Sequence, residues 1–348
     1  MTLDGMALAR VRMALREAVR AHLFDPNVGL IDFGHPEHDG QIAEDEVAIR
    51  LHVRRKLSGA ALEAAVGAGL TRPIPRTIAG FPTDVPEGIY RLQQWGTGWA
   101  GWGRPSAGNP RTAQANPLQG GISISDEYHY AAGTLGGLVS DRTTGAEMIL
   151  SNWHVLVVDW GLRAGLRIYQ PGRLDGGSSP DTVATLTRDA MPVNLDAAVA
   201  LLTGNRRWVN DQLDLEPVAG VGRAELGMQV VKSGRTSGVT YGRVTAIEGI
   251  AKLNYSFLER IIRHIVTIEP RLDFEPVSAA GDSGAWWLDQ ATGRAIGLHF
   301  AGSTFPERGL ALDMPTVLDA LNVDILTTIP RIESIEVVPT RQIELVRG

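Results

Sequence analysis

The stretch Gly281-Asp282-Ser283-Gly284 places a serine between glycines, with Trp286 and Trp287 close behind it. A serine hydroxyl attacks an acyl carbon only when a neighbouring base takes its proton, and an imidazole base needs a carboxylate to hold the correct tautomer. Taken alone, Ser283 reads equally well as a turn serine in a glycine-rich β loop, so the rest of the chain has to supply those partners. Among the 8 histidines, His154 stands out, because it follows the apolar run Met148-Ile149-Leu150, where a strand end can present it to a cleft. Asp196 heads the apolar segment Ala197–Leu202, where a buried charge is costly unless it meets a partner such as an imidazole N–H. Asp181 and Asp189 lie near enough to compete, but Asp189 sits in a loop-like stretch with no apolar strand behind it. The order His154, Asp196, Ser283 is one of the orders in which such triads occur. The backbone N–H groups of Gly281 and Ser283 can point at a developing oxyanion, and Gly281 allows a conformation that a Cβ would resist.

Those residues need elements to hold them. Asp4 to Phe24 carries Leu8, Val11, Leu15, Val19 and Leu23 at helical spacing, which predicts an amphipathic helix. Val28–Gly34 and the segment 45–57 read as strands around an Asp39-Gly40 turn, followed by a short helix and a proline-punctuated stretch. Residues 94–120, rich in glycine and proline and carrying Trp95, Trp99 and Trp102, show no period and read as a linker. From Gly121 the texture changes to short strands with glycine turns in two successive groups, which suggests two β-barrels or a sandwich. His154 and Asp196 fall in the first group and Ser283 in the second, the distribution that a site between two barrels requires. The stretch 314–323 reads as a closing helix.

Composition narrows the function. The 348 residues are 44% apolar and 21% charged, as in ordinary soluble globular chains. A net charge of −6 offers no basic field, so nucleic acid is not an expected partner. Of the 33 basic residues nearly all are arginines, scattered rather than clustered. There is no cysteine, hence no disulfide framework and no thiolate chemistry. The first residues lack the apolar core and small-residue cleavage site of a secretory signal, and no stretch approaches the roughly 20 apolar residues of a membrane span, so a cytoplasmic location without membrane contact is expected.

Residues 121–325 resemble a trypsin-like, chymotrypsin-fold serine peptidase: Ser151-Asn152-Trp153-His154-Val155 is similar to that family's histidine segment, Leu195–Leu202 to its aspartate strand, and Gly281–Trp287 to its serine loop. More narrowly, the segments 48–57, 78–85, 133–141, 149–156 and 170–177 are similar to bacterial trypsin-like proteins related to the plant narrow-leaf protein, which carry a small N-terminal α/β module and no signal peptide. The resemblance implies a mainly β fold of two six-stranded antiparallel barrels preceded by a small α/β module. It divides the chain into that module (1–93), a linker (94–120), a peptidase domain (121–327) and a C-terminal tail (328–348). It also implies a serine endopeptidase that acts on protein or peptide substrates through His154, Asp196 and Ser283 and requires no cofactor. The alternatives are a latent or inactive peptidase-fold protein serving as a binding or assembly module, and an esterase using the same triad. The N-terminal module would control access or recruit a regulatory partner, and the strand-like tail offers an edge for self-association.

Departures from the family sharpen the expectations. Many residues precede the barrels, so Asp282 needs a partner other than a freshly cleaved N-terminus. Val277 stands where enzymes specific for basic residues place an aspartate, so cleavage after Lys or Arg is not implied. His299, with Ser303 nearby, resembles the histidine-bearing strand of glutamyl endopeptidases, which implies a preference for an acidic residue before the scissile bond; small or apolar is the rival, and a packed barrel histidine is the plainer reading. His35 and His38 could suggest a metal, but two histidines in a turn are weak evidence. Gly234–Gly238 lacks the lysine and spacing of a phosphate loop and reads as the opening turn of the second barrel.

Overall fold

The computed structural model describes residues 4–38, 41–93, 108–161, 164–272 and 275–327. The alternation of short apolar strands with glycine turns closes into two antiparallel sheets, each curled on itself. In the first, the strands run in the order Ser123–Asp126, Arg167–Tyr169, Thr182–Asp189, Ala198–Leu202, Glu147–Ser151, Gly137–Asp141, with Gly133–Thr134 and Val323–Ile325 at the two ends. The chain closes this sheet at Leu135-Gly136: the Leu135 N–H donates to Ile122 O (2.8 Å) on one edge, and the Gly136 N–H donates to Leu150 O (3.1 Å) on the other. In the second, Gln229–Gly234, Trp286–Asp289, Ala295–Thr304, Glu307–Asp313, Leu258–Glu269 and Gly238–Tyr255 pair in sequence, and the last pairs back to the first, which makes a closed ring. Closure removes the exposed strand edges that an open sheet would leave. The fold is mainly β, two antiparallel barrels preceded by a small α/β module.

That module shares a sheet with the second barrel. Gly238–Tyr255 is 18 residues long, and its far half pairs with Val28–Gly34 from Leu30↔Ala251 to Gly34↔Ala246. Ala48–Val53 and then Phe81–Asp84 extend the sheet. The helix Gly5–His22 covers one face; the Asp4 side chain accepts from the Ala7 N–H (2.7 Å) and starts the helix, while Val11, Ala14, Leu15 and Ala18 form its buried stripe. They pack against Ile31, Phe33, Ile49 and Leu51. Each fully buried side chain of that size contributes about 1.5–3 kcal/mol, which explains why the paired strands are buried on both faces.

A cluster of buried charged and polar residues inside the same sheet is paired internally. Asp32 receives a bidentate pair from Arg50 (2.8 and 2.9 Å) and a hydroxyl from Thr267 (2.7 Å), and His52 Nδ1 meets the Tyr90 hydroxyl at 2.6 Å. Arg308 donates to Glu269 (3.0 Å), to the Glu87 carbonyl (2.6 Å) and to Glu37 (2.9 Å), so one guanidinium joins the module to the barrel.

Two local expectations change. His154 lies on a single helical turn, Trp153–Leu156, two residues beyond the strand that ends at Ser151, and not on the strand itself. Glu307–Asp313 and Arg91–Leu92, unassigned by sequence pattern, are strands flanking Ala295–Thr304. The Asp39-Gly40 turn, Trp95, Trp99, Trp102 and the tail 328–348 lie outside the described residues.

Candidate active site

The helical turn after Ser151 aims both the backbone N–H and the ring of His154 at Asp196. His154 Nδ1 stands 2.5 Å from Asp196 Oδ2, and the His154 backbone N–H donates to Oδ1 (3.0 Å). The Tyr255 hydroxyl donates to Oδ2 (2.7 Å), and the Asn152 side-chain amide donates to the Asp196 carbonyl (2.7 Å). An acceptor-only carboxylate at Nδ1 puts the proton of a neutral imidazole on that nitrogen and leaves Nε2 as the acceptor. Nε2 is buried and has no hydrogen-bond partner among the described residues. Burial, reinforced by Asp196, pushes the Tyr255 phenol well above its ordinary range, so it stays a donor. Asp181 and Asp189 face other partners: Asp181 accepts from Gln114 (2.9 Å) and Asp189 from the Met191 N–H (3.0 Å).

The serine loop is held from both barrels. Gly281 and Gly284 take φ of +101° and +100°, conformations that a side chain resists. Between them, Asp282 turns away into the second barrel and pairs with Lys232 at 2.8 Å, both side chains fully buried. It also accepts from the N–H groups of Thr236 and Ser237 (3.0 Å each), the N–H of Ala279 (2.9 Å) and the Ser237 hydroxyl. Burial alone would raise the Asp282 pKa, but Lys232 and these donors hold it well below the carboxylate range. The Gly234–Gly238 turn thus opens the second barrel's hairpin and cradles Asp282. From the first barrel, the Thr134 hydroxyl donates to the Gly281 carbonyl (2.8 Å), and its N–H donates to the Ser283 carbonyl (2.7 Å). A Cβ on Gly133 would stand 2.5 Å from Val155 and 3.0 Å from the Ser283 carbonyl, so the His154 turn and the serine loop meet across this glycine.

The serine hydroxyl and the first glycine of the loop have partners of their own. The Ser283 hydroxyl donates to the Phe300 carbonyl (3.3 Å), and the Gly281 N–H donates to the carbonyl of Gln93 (2.6 Å). Beside them, His299 is fully buried. The Trp287 indole N–H donates to its Nδ1 (3.2 Å), which leaves the proton of the neutral ring on Nε2, and Nε2 donates to Gln93 Oε1 (2.5 Å). Burial, with the nearby Lys232 charge, lowers the His299 pKa to about 3, so the ring is neutral. Val277 Cγ1 and His299 Cε1 crowd the same spot, 2.9 and 3.3 Å from where a Gly309 Cβ would be. Ser303 donates to the Pro306 carbonyl (2.5 Å) and lines, with Gln93, Ser278 and Gly302, a cavity of about 380 Å³.

Sequence reasoning missed Gln93, Thr134, Tyr255 and Lys232. Only Lys232 carried a signal, as a lone lysine inside the apolar run Val230-Val231-Lys232 of a lysine-poor chain. His35 Nδ1 lies 2.9 Å from the Glu46 carbonyl and His38 Nε2 lies 3.2 Å from the Glu46 carboxylate. Among the described residues no group of three or more potential ligands could hold a metal, and no helix is long and apolar enough to cross a membrane.

The chain matches no protein-family model and no curated protein sequence. Its fold is similar in part to solved structures. The Nocardiopsis protease NAPase is 17% identical with a TM-score of 0.46, over 60% of this chain and 100% of that one. The chymotrypsin of Cellulomonas bogoriensis is 18% identical with a TM-score of 0.45, over 61% of this chain and 100% of that one. A glutamic acid specific serine protease is 20% identical with a TM-score of 0.45, over 60% and 100%.

Proposed function

We propose that the protein is a serine endopeptidase that hydrolyses peptide bonds through an acyl-enzyme. Ser283 attacks the carbonyl, His154 takes its proton on Nε2 and returns it to the leaving amine, and Asp196 holds the imidazole in that tautomer. The N–H groups of Gly281 and Ser283 stabilise the oxyanion. The observation that carries the reading is His154 itself: a buried imidazole fixed at Nδ1 by a buried carboxylate, with Nε2 without a partner among the described residues, on a turn that meets the Ser283 loop across Gly133. The large majority of buried side-chain polar atoms have a hydrogen-bond partner, so a bare Nε2 beside an anchored Nδ1 is an exception that calls for a role. Tyr255 acts as a positioning residue, because it satisfies the carboxylate that orients His154. In other serine peptidases, loss of the orienting carboxylate lowers kcat by about 10⁴, and Asp196→Asn should behave alike here.

A second reading, a latent or inactive protein of this fold, has an observation in its favour: the Ser283 hydroxyl is engaged by Phe300 and the Gly281 N–H by Gln93. Digestion of a peptide library separates the two. The peptidase reading expects cleavage that vanishes in Ser283→Ala, with no enrichment for Lys or Arg before the cut because Val277 supplies no countercharge; a folded protein that cleaves nothing favours latency. The segments around Ile49-Arg50-Leu51-His52 and Gln170-Pro171-Gly172 support the narrower relation to bacterial relatives of the narrow-leaf protein.

A further inference from the structure

The cleft is entered by the chain's own segment. Arg91–Leu92 pairs antiparallel with Ala295–Thr304, Leu92 opposite Ala301 and Arg91 opposite Gly302. The Gln93 N–H donates to the Phe300 carbonyl (3.3 Å), and the Gln93 carbonyl accepts from the Gly281 N–H (2.6 Å). The Gln93 side chain packs against Gly302, where a Cβ on that glycine would stand 2.5 Å from Gln93 Nε2, and its amide oxygen accepts from the His299 Nε2–H. An added strand, a carbonyl on an oxyanion donor and a side chain on a buried imidazole donor are the three contacts by which an extended peptide is recognised and activated.

We propose that Arg91-Leu92-Gln93 is a tethered substrate, and that Ser283 cuts its own chain after Gln93. The inference rests on the peptidase reading above. Ser283 Oγ, which shares the Phe300 carbonyl with the Gln93 N–H, turns from it and bonds to the Gln93 carbonyl carbon, while its proton passes to His154 Nε2. The C–N bond to Gln94 breaks, and the departing amine takes that proton. One water then cleaves the ester, leaving a carboxylate on Gln93 and restoring Ser283. The reaction consumes one water and transfers no electrons.

The module upstream presents the segment. The Gly88 N–H donates to the Val53 carbonyl (2.9 Å), Arg308 donates to the Glu87 carbonyl (2.6 Å), and the Tyr90 hydroxyl meets His52 Nδ1 (2.6 Å). Holding reactant and nucleophile in one chain replaces a bimolecular encounter with an intramolecular one. The pocket favours glutamine in particular. Neutral His299 offers one N–H to an amide oxygen, whereas a glutamate carboxylate would be buried there without a matched cation, since Lys232 is already paired with Asp282.

The test follows the purified full-length protein at neutral pH by intact mass and N-terminal sequencing. Wild type should yield one fragment ending at Gln93 and one beginning at Gln94, at a rate independent of protein concentration. Ser283→Ala should stay intact, and Gln93→Arg should be cut roughly 100-fold more slowly. A wild type that stays intact, or is cut only elsewhere, while a fluorophosphonate labels it at Ser283 overturns this inference and leaves the peptidase reading standing. Absence of both cutting and labelling, in wild type and in Gln93→Gly with its pocket side chain removed, overturns both.

Discussion

Asp196 accepts from the His154 ring, the His154 backbone and Tyr255. The residue types for nucleophile, base and carboxylate can be read along the chain, because acyl-transfer chemistry demands them. Tyr255 cannot, since only a long strand pairing brings it to Asp196. Tyr255→Phe should lower kcat about 10- to 100-fold with KM within about twofold, because a hydrogen bond to a charged group is worth roughly 1.5–3 kcal/mol; steady-state kinetics on a glutamine peptide check this. Trp287→Phe removes the N–H that sets the His299 tautomer. It should raise KM for the same peptide about tenfold, the equivalent of one lost neutral hydrogen bond, while the rate of fluorophosphonate labelling holds.

At the scale of elements, the serine loop is a joint between barrels. The glycine-turned strands were legible from their apolar alternation, whereas Arg91–Leu92, two residues in a proline- and glycine-rich stretch, has no local pattern and exists through its partner strand. The Trp153–Leu156 turn looks like a strand end in sequence because its four residues are too few for a helical period to show. Lys232 sits beneath the loop, and Lys232→Met would leave Asp282 buried without its cation. Breaking a buried pair from one side costs about 3–5 kcal/mol, so the urea midpoint should drop sharply. Gly136→Ala forces a Cβ to 2.3 Å from the Gly284 carbonyl and the Trp286 indole nitrogen. It should destabilise by about 1–3 kcal/mol, read in the same denaturation experiment.

Across the whole molecule, the shared sheet makes the N-terminal strands part of the second barrel's framework. After cleavage at Gln93 the two fragments should therefore co-elute in native size exclusion and separate only in denaturant, because Val28–Gly34 stays paired with Gly238–Tyr255. The sheet also carries an acid sensitivity. Burial lowers the pKa of His52 to about 4 and that of His299 to about 3, so both rings are neutral in the fold, while an unfolded chain protonates them below its ordinary value near 6.5. Between those limits the unfolded state binds more protons, so the stability they contribute is complete above pH 6.5 and is lost as pH falls toward 4 and 3. Asp32 and Asp282, held below the carboxylate range, act in the same direction below about pH 4. Thermal unfolding should show a plateau above pH 6.5 and a falling Tm down to pH 4. None of this was visible in sequence, where His52 is one histidine in a strand and His299 a choice between packing and specificity.

Every step proposed for this site requires Ser283 to be a nucleophile activated by His154. Reaction of the folded full-length protein with a fluorophosphonate, read by intact mass, tests it most directly. A single adduct on Ser283, absent in Ser283→Ala and His154→Ala, is the predicted result; a folded wild type that takes up no adduct, or an adduct that persists in Ser283→Ala, would contradict it.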